Sequence, residues 1–165
     1  MKQLTGKEEA LMKTYVAGIL ELFPELDHWP DANSTLRLSY GKVEGSSPND
    51  AVIYQPQTTM DGLMAKYIPG DRDFDLPERL ISLGEKKDFG QYANADGELV
   101  VCFTSSNHTS GGNSGSPVIN GKGELIGLNF DRSWESTMSD IMFDPSICRN
   151  IAVDIRYVLF IVDKY

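Results

Sequence analysis

Between residues 5 and 23 apolar side chains recur at helical spacing. Leu11, Tyr15, Ile19 and Phe23 fall close to one face, and Met12, Val16 and Leu22 widen it. Thr5 with Glu8 forms a capping-box pattern that predicts the start of this helix. Pro24, which cannot continue a helix, predicts its end. A polar linker runs to Asn33, and beyond it the period changes. Leu36, Leu38 and Tyr40 alternate with Arg37 and Ser39, the pattern of a half-buried strand. Further strands are predicted over 51–54, 99–103, 117–119, 124–130 and 150–153. Short helices are predicted over 58–67, capped by Thr58, and over 77–83, where Pro77 suits a first helical turn. Residues 155–164 are apolar enough for strand or helix, and Asp154 as a cap favours a closing helix. The pattern predicts a mainly β fold, with one leading helix, roughly six strands of a single small barrel, and a C-terminal helix. No internal repeat or low-complexity segment interrupts it.

Composition narrows the classes. A chain of 165 residues suits one domain with a sizeable core. The net charge of −9 is spread along the sequence and argues against a nucleic-acid surface. No apolar run reaches the ~18 residues of a membrane span. No signal peptide opens the chain, which fits a cytosolic protein or a part of a longer secreted one. Cys102 and Cys148 match no metal-site spacing. Buried free thiols are expected, with a Cys102–Cys148 disulfide as the alternative. The acidic run from Asp71 to Asp75 imitates the start of a calcium loop. It has Leu76 where the turn glycine belongs and Ser82 where the bidentate glutamate belongs. No metal or cofactor is expected.

Chemistry concentrates in the run Thr109-Ser110-Gly111-Gly112-Asn113-Ser114-Gly115-Ser116-Pro117-Val118. A serine hydroxyl is a weak nucleophile and must be presented bare to a base and a carbonyl. Glycines permit the tight backbone this requires. In such a loop the N–H groups of Gly112 and Ser114 form an oxyanion hole, worth roughly 3–4 kcal/mol per donor in known cases. The run does not fit an α/β-hydrolase elbow, because Asn120-Gly121, a hairpin signal, follows instead of a helix. A serine loop feeding a hairpin is the chymotrypsin-like context. Ser114 is the expected nucleophile, with Ser116 as its competitor.

Partners for that serine are scarce. His108 lies six residues before Ser114, too close in the loop to set its imidazole on the hydroxyl, so bracing the loop is its expected role. His28 follows the first helix and reads as a surface or capping histidine. Chymotrypsin-like enzymes place histidine and aspartate before the serine in chain order. The base and its carboxylate are therefore expected upstream of Met1.

Several motifs together resemble one family. They are Thr35-Leu36-Arg37-Leu38-Ser39-Tyr40-Gly41, Lys87-Asp88-Phe89-Gly90, the serine loop, the run from Gly123 to Arg132, and Val153-Asp154-Ile155-Arg156-Tyr157-Val158-Leu159. They resemble the C-terminal part of the bacterial dipeptidyl peptidases of the 7 and 11 type, serine peptidase family 46. The resemblance implies a chymotrypsin-like C-terminal barrel over 31–165, with residues 1–30 ending an inserted helical domain. It implies a segment of an exopeptidase acting on oligopeptides with a free N-terminus. The histidine and aspartate would come from the upstream part of the same enzyme. It assigns Ser114 as nucleophile within a loop that includes Asn113, and the Gly112 and Ser114 N–H groups as oxyanion donors. Asp131 would hold the substrate amine, Arg132 would select Asp or Glu before the scissile bond, and Asn129 and Phe130 would line the same strand. It implies a periplasmic or cell-surface location, and the apolar surface of a half-cleft favours a homodimer. The other readings are a non-catalytic peptide-binding module and a compact self-sufficient protease using His28.

Overall fold

The computed structural model describes residues 2–26 and 35–165, with side chains described from residue 6. His28 lies outside the described residues. Two compact units divide the chain, Met1–Leu36 and Arg37–Tyr165.

The first unit is built on helix α1 (Lys2–Leu22). It begins upstream of Thr5, so Thr5 sits inside the helix and not at its cap, a correction to the capping-box reading. Beyond the helix a further turn carries Leu26 N–H to the Phe23 carbonyl at 3.2 Å. Leu11, Met12, Tyr15, Val16, Leu20 and Leu22 are all exposed. The apolar stripe has the expected spacing, yet among the described residues of this unit no second element packs on it.

The second unit holds a two-stranded antiparallel hairpin, β1 (Ser46–Asn49) with β2 (Val52–Tyr54), and a five-stranded antiparallel sheet. The sheet contains β3 (Gln57–Thr59), β4 (Val100–Ser105), β5 (Pro117–Ile119), β6 (Leu125–Arg132) and β7 (Asn150–Asp154), in the order β3-β4-β7-β6-β5. β3 and β5 are its edges, and no ladder among the described residues joins them into a closed barrel. The last strand, β7, inserts between β4 and β6. That insertion draws the loop after β4 and the end of β6 to one end of the sheet.

Helices cover the opposite end. Met60 of α2 (Met60–Ala65), Leu80 of α3 (Glu78–Glu85), Phe89, Tyr92, Leu99 and Phe160 of α4 (Ile155–Lys164) form the main buried cluster. Phe89 and Tyr92 meet Phe160 edge-on at 6.1 and 6.2 Å between ring centroids, a favoured aromatic geometry. Asp154 caps α4 as expected, accepting from the Arg156 N–H at 2.8 Å. The same carboxylate takes the Arg156 guanidinium at 2.9 and 2.8 Å. Hydrogen bonding to that carboxylate holds the Arg156 guanidinium protonated even more firmly than usual.

Two local expectations fail. Thr58 does not cap α2, because it lies in β3 opposite Cys102, and the helix starts after Thr59. The alternating segment at 36–40 forms no strand, and Leu36, Leu38 and Tyr40 are 100%, 80% and 88% exposed. The chain just beyond it runs beside the end of β4, with Lys42 and Ser106 bonded in both directions at 3.0 Å and Val43 bridging Ser105. Alternation marks a face that wants cover, and no cover lies among the described residues.

Candidate active site

The loop between β4 and β5 is pinned at several points. Asn113 Oδ1 accepts from the Ser110 N–H at 2.8 Å, while the Asn113 N–H returns to the Ser110 carbonyl at 3.2 Å. The Ser116 N–H reaches the Asn113 carbonyl at 3.0 Å and closes a tight turn around Ser114 and Gly115. Gly112 and Gly115 have φ of +95° and +83°, which explains why glycine stands at both positions. The Gly115 N–H then donates to the Asn129 carbonyl at 2.7 Å, and the Asn129 N–H to the Ser116 carbonyl at 2.9 Å. The turn is thereby fastened to β6.

Strand β6 is irregular where it meets the loop. Asn129 pairs with Ala152 and Asp131 with Ile151, leaving Phe130 as an extra residue on β6. A bulge of this kind bends a strand and re-aims its groups. Here the Phe130 carbonyl accepts from Ser114 Oγ at 3.4 Å, a long contact for a hydroxyl. Ser114 itself is exposed. The N–H groups of Gly112 and Ser114 donate to no acceptor among the described residues. Unspent donors flanking an exposed hydroxyl are what oxyanion stabilisation needs.

Asn129 is 7% exposed, and its Oδ1 is the buried side-chain acceptor left without a partner among the described residues. Phe130 presents an exposed ring. Asp131 is exposed, and its carboxylate accepts from the Arg132 N–H at 2.8 Å. Arg132 is held more elaborately. Its Nη1 and Nη2 take the two oxygens of Asp140 at 2.7 and 3.1 Å. Nη1 also reaches Ser139 Oγ at 2.8 Å and the Thr109 carbonyl at 3.4 Å. The guanidinium hydrogen bond holds the Asp140 carboxyl below the usual aspartate range, aided by the charges of Arg132 and His108.

His108 braces the site, as expected. Its Nε2 lies 3.2 Å from the Ser139 carbonyl, and its ring packs on Phe143 at 4.6 Å between centroids. Behind it Thr109 Oγ1 donates to Asn150 Oδ1 at 3.1 Å, tying the serine loop to β7. The structure therefore brings Gly112, Asn113, Ser114, Asn129, Phe130, Asp131 and Arg132 to one end of the sheet. Sequence reading missed Asp140 and Ser139, which lie in an irregular stretch with no periodicity. An arginine at a strand end followed by a carboxylate within one turn-rich segment was the available signal. Both cysteines are free thiols, so the disulfide alternative is not formed. Burial pushes the Cys102 thiol up, with the Thr58 side chain partly opposing it.

The site is thus a glycine-rich serine loop pinned to a bulged strand of an antiparallel sheet. The Peptidase S46 family model matches residues 1–165, and the chain belongs to that family. It is 60% identical over 163 residues to an Asp/Glu-specific dipeptidyl-peptidase of Flavobacterium psychrophilum, covering 99% of this chain and 23% of the relative. It is 52% identical over 156 residues to dipeptidyl-peptidase 7 of Phocaeicola vulgatus, covering 94% of this chain and 22% of that protein. Among solved structures, Porphyromonas endodontalis DPP11 in complex with the dipeptide Arg-Glu matches at TM-score 0.86 and 46% identity. That match covers 94% of this chain and 22% of the other. The chain thus spans less than a quarter of the length of these relatives.

Proposed function

We propose that this chain is the nucleophile-bearing part of a longer serine dipeptidyl-peptidase that releases N-terminal dipeptides with Asp or Glu before the scissile bond. The observation that carries this reading is the order of groups along one strand. Ser114 Oγ rests on the Phe130 carbonyl at the bulge, and Asp131 and Arg132 follow it directly. Ser114 attacks the second peptide carbonyl and forms an acyl-enzyme, which water then hydrolyses. The N–H groups of Gly112 and Ser114 receive the oxyanion. Asp131 binds the substrate α-ammonium and so measures two residues from the N-terminus. Arg132 binds the acidic side chain through charge-assisted hydrogen bonds.

The base and its orienting carboxylate come from the remainder of a polypeptide of the relatives' length. His108 is committed to Ser139 and Phe143, which supports a base from elsewhere. Relatives named for Asp/Glu specificity reach 60% identity and relatives named dipeptidyl-peptidase 7 reach 52%. Overall similarity leans toward the Asp/Glu-specific relatives, and Arg132 carries the assignment at the level of a residue. A homodimer and a periplasmic or cell-surface location complete the proposal.

Fluorogenic dipeptides ending in Asp, Glu or Leu test it, using this chain alone and the polypeptide extended to the relatives' length. The longer form cuts the Asp and Glu substrates preferentially, and the short chain cuts none. Hydrolysis by the short chain would contradict the division of the triad. Equal cutting of Leu and Glu substrates by the long form would contradict the role of Arg132.

A further inference from the structure

A guanidinium offers carboxylates an end-on edge, Nη1 with Nη2, and a side edge, Nε with the neighbouring Nη2 hydrogen. Arg132 uses the first fully. Asp140 Oδ1 and Oδ2 take it at 2.7 and 3.1 Å, and Nη1 is further occupied by Ser139 Oγ and the Thr109 carbonyl. The Nε–H has no acceptor among the described residues, so the side edge is vacant. The arginine side chain is one-quarter exposed, enough for a ligand to reach it, and Asp140 is half exposed.

We propose that Asp140 is a positioning residue for specificity: it clamps the end-on edge of Arg132 so that the side edge faces the acidic side chain of the substrate. This rests on the reading of Arg132 given above. An alternative geometry has the substrate carboxylate evict Asp140. Eviction breaks a bidentate pair and the bonds that turn with it, whereas the vacant edge accepts a second carboxylate with none broken. The clamp is itself braced. Ser139, next to Asp140, gives its carbonyl to His108 and its hydroxyl to Arg132, so the turn carrying Asp140 is fixed from both sides. Ser139 is 1% exposed, consistent with a rigid support. Holding a long cationic side chain in one rotamer before substrate arrives removes an ordering cost from binding. The opposing effect is repulsion between two carboxylates on one arginine. It is softened because Asp140 stands half in water.

The test is steady-state kinetics of the extended polypeptide on dipeptides ending in Glu and in Leu. With Asp140→Ala, KM for the Glu substrate rises by about three- to tenfold, the worth of one freed side chain. The kcat on that substrate and both constants on the Leu substrate stay unchanged. Asp140→Asn, which keeps the volume and one oxygen, moves KM in the same direction by less. In an Arg132→Ala background, Asp140→Ala adds nothing. An unchanged or lowered KM for Glu would show that the substrate evicts or ignores Asp140, and would overturn the proposal. An equal loss on both substrates would show mere fold support and would also overturn it. If Arg132→Ala alone leaves the preference for Glu intact, the reading of Arg132 fails, a result distinct from either of these.

Discussion

Two arginines on neighbouring strands put the same side chain to opposite uses. Arg132 ends β6 and Arg149 immediately precedes β7, and the Ser133 N–H bonds the Arg149 carbonyl at 2.8 Å. Arg149 is 6% exposed. Its Nε binds the Gly45 carbonyl at 2.8 Å, and Nη1 binds the Pro145 and Cys148 carbonyls at 2.9 and 2.7 Å. Its Nη2 reaches the Ser146 carbonyl at 3.3 Å and the Glu44 carboxylate at 3.4 Å. Both edges are spent, on backbone carbonyls and the Glu44 carboxylate, stitching the segment before β1 to the turn before β7. Arg132 is partly exposed and, among the described residues, keeps one edge unspent. A saturated guanidinium is an internal fastener, whereas one clamped on one edge only keeps donors free for a further acceptor.

The comparison breaks most readily at Arg149. Arg149→Ala takes the donor from the Gly45, Pro145, Ser146 and Cys148 carbonyls, while the partly exposed Glu44 can return to water, and lowers unfolding stability by about 2–4 kcal/mol. Urea denaturation of the second unit measures it. A change of a few tenths would mean that Arg149 is no fastener. Next comes Arg132→Ala. In the extended polypeptide it lowers kcat/KM on Glu-ending dipeptides by about 10²–10³, the range for truncating one partner of a buried charge pair. Stability changes by less than about 1 kcal/mol, because its partner Asp140 can return to water. A large stability loss with selectivity retained would reverse the roles given to the two arginines.

The smallest effect concerns pH. The native Asp140 carboxyl sits below the usual aspartate range, chiefly through its hydrogen bond from Arg132. The native state therefore binds this proton less readily than the unfolded chain does. The pair's contribution is complete above the ordinary aspartate value, and is lost as pH falls through the lowered native one. Carboxyl NMR titration should find Asp140 below the ordinary range, and back within it in Arg132→Ala. An unshifted Asp140 in the native chain would contradict the clamp.

The sheet strands and the closing helix were legible because local and tertiary signals agree there. Asp154 caps α4, apolar residues fill β4 and β7, and Asn120-Gly121 lies between β5 and β6. The serine loop was legible because its glycines serve conformations that other residues adopt poorly. Leu36, Leu38 and Tyr40 misled because periodicity reports a surface that wants burial and says nothing of where the covering surface lies. Thr58 misled because a strand pairing with Cys102 claimed it before any helix could. The β6 bulge and the Asp140 clamp were missed for other reasons. The bulge arises from the register between β6 and β7, which no local pattern encodes, whereas the clamp joins residues eight apart in a turn-rich stretch without periodicity.

The proposed function requires Ser114 to be an activated nucleophile in the extended polypeptide and an idle hydroxyl in this chain alone. Treating both forms with a fluorophosphonate and mapping the adduct by peptide mass spectrometry tests it most directly. The account predicts a single adduct on Ser114 in the extended form, and none above background in the short chain. An adduct on Ser116, or equal labelling of Ser114 in both forms, would contradict it.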